Sequence, residues 1–254
     1  MYLTEIFETI QGEATFTGTP AIFIRTQGCG VGCSFCDTKF SWDVWDSNTQ
    51  PQNIISVNTY EDLLSVLNRE KLAIQVEWQY ENKFGKDLAG RVANSDTSKI
   101  SHFVITGGEP LQEDPQHQDS LISIIEGIKS CRSATYRPRI QIETSGTSKL
   151  LDKTYAYLRQ NCFITLSPKI GMAGGKSFNP SMCNLIDEIK MPVGSLRDLE
   201  NLEEFLATHR FRHETPIWLQ PISQSEKATN LCIDYAKKKG YKVSIQTHKY
   251  INIY

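Results

Sequence analysis

The chain has 254 residues, 39% hydrophobic and 22% charged, with a formal net charge of −2 at pH 7. Such a chain can bury a sizeable core, and its charge gives nucleic acid no basic footprint. No apolar run approaches the ~20 residues that cross a bilayer, and residues 1–8 carry two acids and no Lys or Arg, unlike a signal peptide; the expected location is the cytoplasm, with no membrane contact. In chain order, residues 21–26 read as a first strand. Residues 46–56 are polar and turn-rich, and 75–99 are polar with no steady period. Both flank a helix that Thr59 and Asp62 open as a capping box ahead of Leu63, Leu64 and Leu67. The stretch from about 46 to 100 is therefore expected as an insertion between the first and second strands.

Strands are expected at 103–106, 140–144, 163–167, 188–191, 217–220 and 243–247. Between them, Leu121, Ile122, Ile124, Ile125 and Ile128 mark one helical face. Ser195 with Asp198 caps a helix carrying Leu199, Leu202, Phe205 and Leu206, and a helix over 225–239 stops at Gly240. Alternating strands and helices imply parallel βαβ units. Six to seven mostly parallel strands are too few for an eight-fold barrel, so the fold class is α/β, a partial (incomplete) TIM-like barrel. No repeat or linker divides the chain, and residues 1–254 are expected to form one domain. His102, His117, His209 and His213 are expected at surface or helix positions.

Cys29, Cys33 and Cys36 fall within eight residues, whereas Cys131, Cys162, Cys183 and Cys232 are scattered. That pattern favours a metal or cluster site plus free thiols over a disulfide framework. Three thiolates at C-x3-C-x2-C spacing can wrap a [4Fe–4S] cluster from one loop, and Gly28, Gly30 and Gly32 let backbone approach its sulfides. The fourth iron stays open to a chelating small molecule. A structural zinc site, the alternative, would need a fourth ligand that the loop lacks.

C-x3-C-x-aromatic-C after a first strand resembles the signature of the radical S-adenosylmethionine (SAM) superfamily, with Phe35 in the aromatic slot near the adenine of SAM. Thr106-Gly107-Gly108-Glu109-Pro110 resembles the GGEP motif, whose backbone and acid meet the methionyl ammonium. Further blocks are similar to the 7-carboxy-7-deazaguanine synthases: residues 8–13 (ETIQGE), 16–18, 21–25, 36–38 (CDT), 141–147 (QIETSGT), 167–169 (SPK), 219–223 (LQPIS) and 246–250 (QTHKY). They occur in family order along nearly the whole chain; only 46–100 lacks a matching block.

This resemblance implies conversion of 6-carboxy-5,6,7,8-tetrahydropterin to 7-carboxy-7-deazaguanine with release of ammonia, on the route to 7-deazapurines such as queuosine. A radical derived from SAM would take hydrogen from the pterin and later return it. Ile10, Gln11, Gly12, Glu13, Arg25, Thr106, His248 and Tyr254 are the implied substrate contacts, with Arg25 suited to the carboxylate. Phe35, Gly108, Glu109, Ser145, Ser167, Pro168, Lys169 and Gln220 are the implied SAM contacts, and Thr38 the implied Mg²⁺ ligand. Glu143, Asp187 and Lys190 carry no role from a motif. A flavodoxin or ferredoxin as electron donor and a homodimer are further implications. A glycyl-radical activase and a radical SAM enzyme acting directly on RNA are the competing enzyme readings, and a non-catalytic zinc or Fe–S module the competing non-enzyme one.

Overall fold

A computed structural model of the protein describes residues 1–33, 36, 38–42, 54–69, 100–130, 137–171 and 176–251. Most of the expected insertion lies outside them. The described strands are β1 (Tyr2–Ile10), β2 (Pro20–Thr26), β3 (Ile55–Ser56), β4 (His102–Gly107), β5 (Arg139–Thr144), β6 (Phe163–Leu166), β7 (Glu188–Val193), β8 (Ile217–Pro221) and β9 (Lys242–Val243). They form one open sheet in the order β3-β1-β2-β4-β5-β6-β7-β8-β9. From β2 through β9 every neighbouring pair is parallel, while β1 runs antiparallel to both β2 and β3. The parallel part is the partial barrel expected from the sequence, and β1 with β3 extends it at one edge.

The helices that cover the outer face are α1 (Tyr60–Arg69), α2 (Pro115–Ser130), α3 (Asp152–Asn161), α4 (Leu196–Thr208) and α5 (Glu226–Lys239), with a short α6 (Thr247–Tyr250) at the far end. α1 begins as its capping box dictates: Asp62 accepts the Thr59 backbone N–H at 3.0 Å while Thr59 Oγ1 accepts that of Asp62 at 3.2 Å. Asp198 accepts the Ser195 backbone N–H at 2.8 Å in the same way for α4. Gly240 ends α5 at φ 74°, a left-handed conformation that glycine adopts without a Cβ clash. Leu121, Ile124, Ile125 and Ile128 of α2 are fully buried against Ile22, Ile24, Phe103 and Ile105 of the sheet. Leu199 and Leu202 of α4 and Cys232 and Ala236 of α5 pack on Met191, Val193 and Leu219.

Three local expectations change. β1 was not foreseen. The last strand pairs only at Lys242 and Val243, because the chain beyond turns away and Thr247–Tyr250 is helical. His102 is buried on β4, at 2% exposure, with its Nε2 hydrogen-bonded, whereas His117 lies on α2 as a helix position, buried with its own ring nitrogen bonded.

Candidate active site

The parallel register sets Arg25 beside Thr106, Glu143 beside Thr165 and Leu166 beside Ile189, so the motifs that follow the strands gather at one end of the sheet. There a cavity of about 1520 Å³ opens. It exceeds the ~300–1,000 Å³ of a single drug-sized site, so it has room for two ligands. The C-terminal end is where barrel folds collect their chemistry.

Cys29, Cys33 and Cys36 line the cavity. The Val31 N–H points at Cys29 Sγ (3.4 Å), and the Trp42 indole N–H donates to Cys36 Sγ (3.3 Å). Burial pushes the Cys29 and Cys33 thiols up, so a strong Lewis acid is needed to hold them as thiolates. Among the described residues no three His, Cys, Asp or Glu side chains converge as a single-ion site. A thiol-only set with N–H donors aimed at sulfur fits an iron–sulfur cluster, whose ligands sit on separate irons.

The Gly-Gly-Glu turn is packed onto this loop. Gly108 N–H donates to Thr26 O at 2.9 Å and Glu109 N–H to Gly28 O at 2.8 Å. A Cβ on Gly108 would overlap the Gly28 carbonyl, so this approach requires glycine. The buried Glu109 carboxylate accepts from Leu111 N–H (3.0 Å), Thr144 Oγ1 (2.5 Å), Ser145 N–H (2.9 Å) and Ser145 Oγ. Glu109 thereby ties the loop after β4 to that after β5. Beside it, Lys169 Nζ donates to Ser167 Oγ at 2.8 Å, and burial lowers its ammonium.

The floor is a buried charge network. Lys190 Nζ, on β7, pairs with Glu13 Oε2 and lies 3.5 Å from Glu143 Oε1. Glu13 Oε1 also accepts from Gln246 Nε2 (2.8 Å) and Gln220 Nε2 (3.3 Å). Burial works to raise the Glu13 carboxyl, yet the Lys190 ammonium, with help from the Gln246 amide and His248, brings it down to about 2. Glu143 accepts from Gln11 Nε2 at 3.2 Å and Thr106 Oγ1 at 3.2 Å. Gln11 spends its other amide hydrogen on Gln141 Oε1 (3.0 Å), so its side chain braces the floor.

On the β2 side, Arg25 Nε donates to Glu5 Oε1 at 2.6 Å, and its Cζ lies 5.5 Å from the Phe7 ring centroid and 5.8 Å from that of Phe40. No acceptor among the described residues meets its Nη atoms. The tail closes the opposite side. Thr247 N–H donates to Gly12 O at 3.0 Å, Ala14 N–H to Ser244 Oγ at 2.8 Å, and His248 packs on Gly12.

No protein-family model matches the chain. It is 37% identical to the 7-carboxy-7-deazaguanine synthase of Escherichia coli K12 over 261 aligned residues, covering 99% of this chain and 98% of the relative. The chain belongs to the 7-carboxy-7-deazaguanine synthase family. The synthase of Buchnera aphidicola is also 37% identical, again over 99% of this chain and 98% of its own length. The crystal structure of QueE from Escherichia coli superposes with a TM-score of 0.67 at 34% identity, over 97% of this chain and 94% of that one.

Of the positions expected to serve a 7-carboxy-7-deazaguanine synthase, the structure places Ile10, Gln11, Gly12, Glu13, Arg25, Thr38, Thr106, Gly108, Glu109, Ser145, Ser167, Lys169, Gln220 and His248 on the cavity, with the three cysteines. Pro168 is buried and does not line it. Phe35 and Tyr254 lie outside the described residues. Glu143 and Lys190 do line it, whereas Asp187 pairs with Arg212 at 2.6 Å away from the cavity. Trp42, Ser244 and Gln246 were not foreseen. Gln246 stood in a matched block, but its contact with Glu13 depends on the tail folding back.

Proposed function

We propose that the chain converts 6-carboxy-5,6,7,8-tetrahydropterin to 7-carboxy-7-deazaguanine and ammonia as a radical SAM lyase. The observation that carries this reading is one cavity holding both an open three-cysteine loop and a separate polar floor. Cys29, Cys33 and Cys36 would hold the [4Fe–4S] cluster. Once loaded, it supplies the electron that turns SAM into a hydrogen-abstracting radical.

The chain's own groups bind, orient and exclude water. Gly108, Glu109, Ser145, Ser167, Lys169 and Gln220 form the wall beside the cysteine loop, where SAM would lie, with Phe35 and Pro168 as the remaining candidates. Glu109, held by four donors, fixes that wall. Across the cavity, the side-chain oxygens of Glu13 and Glu143 are acceptors suited to the amino and ring N–H edge of a pterin. Arg25, held by Glu5, directs its remaining N–H donors toward a carboxylate. His248 and Gly12 cover the pterin, Ile10 and Gln11 line the site from the end of β1, Thr106 adds a hydroxyl, and the Tyr254 carboxylate is the last candidate.

Thr38 places a hydroxyl on the wall beside Cys36. A Mg²⁺ held there would take its other ligands from water and substrate oxygens. A one-electron donor of the flavodoxin or ferredoxin type and a homodimeric state complete the proposal, with the whole chain acting as one domain in the cytoplasm. No helix among the described residues is long and apolar enough to cross a membrane.

The test is anaerobic incubation of reconstituted enzyme with SAM, dithionite, Mg²⁺ and the pterin, followed by mass spectrometry. The deazaguanine acid with equimolar ammonia is expected. SAM cleavage with unchanged pterin would refute the substrate assignment.

A further inference from the structure

Lys190 has no role from any motif, yet it sits at the centre of the cavity floor. We propose that Lys190 is a positioning residue that holds the Glu13 and Glu143 carboxylates together and aimed into the cavity, as the acceptor for the N–H edge of a heterocyclic substrate. The proposal deepens the pterin reading and rests on it.

Three segments far apart in sequence meet at this point: Glu13 from the loop after β1, Glu143 from β5 and Lys190 from β7. The Lys190 side chain is 7% exposed and those of Glu13 and Glu143 are 12% and 16% exposed. Nζ meets one oxygen of each carboxylate. The side-chain donors of Gln246, Gln220, Gln11 and Thr106 orient both groups from other directions. One ammonium shared by two carboxylates leaves the pair a net acceptor, and an ionised carboxylate accepts without donating. An amino group beside a ring N–H is the donor pair that matches it.

Burial without a cation would reverse this state, because a desolvated carboxyl takes up a proton. A protonated carboxyl turns an O–H toward the substrate's donors. The other charged groups nearby do not replace Lys190. Glu188, two residues back on β7, is itself raised by burial and engaged by Thr15 and Thr165. Lys169 after β6 is lowered by burial and donates to Ser167, and His248 of the tail acts on Glu13 only as a weaker neighbour. A simple structural salt bridge would affect stability alone; a positioning role makes substrate affinity pH-dependent when the cation is lost.

The experiment uses full-length, cluster-loaded, SAM-bound enzyme and measures the Kd of the carboxy-tetrahydropterin from pH 6 to 9 in wild type, Lys190→Met and Lys190→Arg. Relative to wild type, Lys190→Met should bind progressively more weakly as pH falls, by about tenfold for each pH unit below the displaced carboxyl pKa. Lys190→Arg should restore most of the affinity and flatten the profile, and SAM affinity should stay constant throughout. If Lys190→Met does not fold, Lys190→Gln, which keeps a hydrogen-bond donor but no charge, takes its place and should show the same trend. A wild-type Kd and profile in the variant that lacks the charge would overturn the proposal. Wild-type enzyme that binds SAM but no pterin would instead overturn the substrate reading beneath it.

Discussion

Gly12→Ala tests whether the tail is part of the site. Gly12 is where the N-terminal loop and α6 touch, and a Cβ there would overlap His248 Nδ1 and sit 3.0 Å from the His248 backbone N. The imidazole can rotate away, but the backbone cannot while Thr247 N–H stays bonded to Gly12 O at 3.0 Å. Overpacking of this kind costs about 1–3 kcal/mol. The strain is relieved by undocking residues 247–251, so it falls on ligand binding and not on the sheet. At ~1.4 kcal/mol per decade, the pterin Kd should rise roughly 5- to 140-fold. Calorimetric titration of the pterin into SAM-bound enzyme, beside a SAM titration and a thermal melt, reads this out. SAM affinity should be unchanged, and Tm should move little because no core contact is lost. An unaltered pterin Kd would show that the tail does not cover the substrate.

Cys29→Ala, Cys33→Ala and Cys36→Ala should each lose bound iron and sulfide on anaerobic reconstitution, whereas Cys162→Ser, Cys183→Ser and Cys232→Ser should retain both; cluster loss in the second set would contradict the ligand assignment. Glu109→Gln turns an amide N–H₂ toward donors that now meet a carboxylate, so it should destabilise the fold by about 3 kcal/mol or more. For a chain of this size that is a Tm drop of roughly 6–12 °C; SAM binding should weaken with it, and a wild-type melt would refute the hub role. Thr38→Ala should blunt the Mg²⁺ dependence of turnover while the cluster absorbance stays unchanged, and an identical Mg²⁺ response would remove Thr38 from the metal site.

Much of the fold was legible because its parallel strands are short buried runs and its helices carry their own caps, as Thr59, Ser195 and Gly240 do. β1 escaped for a physical reason. Its register shifts between Leu3 and Glu5, so the buried Leu3 and Ile6 stand three apart and the period of two is lost. α3 buries only Thr154 and Leu158, too sparse a stripe to stand out from sequence. The strand expected over 243–247 is cut short because Ser244 and Gln246 turn their side chains to Ala14 and Glu13. His102 is buried because a layer inside the barrel is polar: its Nε2 meets Gln141 Oε1 at 2.9 Å, and Gln141 Nε2 continues to Thr165 Oγ1 at 2.9 Å.

The site divides along similar lines. Motif spacing exposed the cysteines and the Gly-Gly-Glu turn, since their roles depend on residues close in sequence. Lys190 was silent because its partners lie 177 and 47 residues away, joined only through the folded sheet. Trp42 was silent too, since nothing in a tryptophan six residues past Cys36 announces that its indole N–H will face the sulfur.

Whether one cavity holds cluster, SAM and pterin together is tested most directly by an anaerobic crystal structure of the reconstituted enzyme with both small molecules. The expected density shows the cluster on Cys29, Cys33 and Cys36, with SAM between it and the Glu109–Ser145 wall. The pterin should lie with its amino edge on Glu13 and Glu143 beneath His248. A pterin bound elsewhere, or a metal centre that recruits other side chains in place of those cysteines, would contradict it.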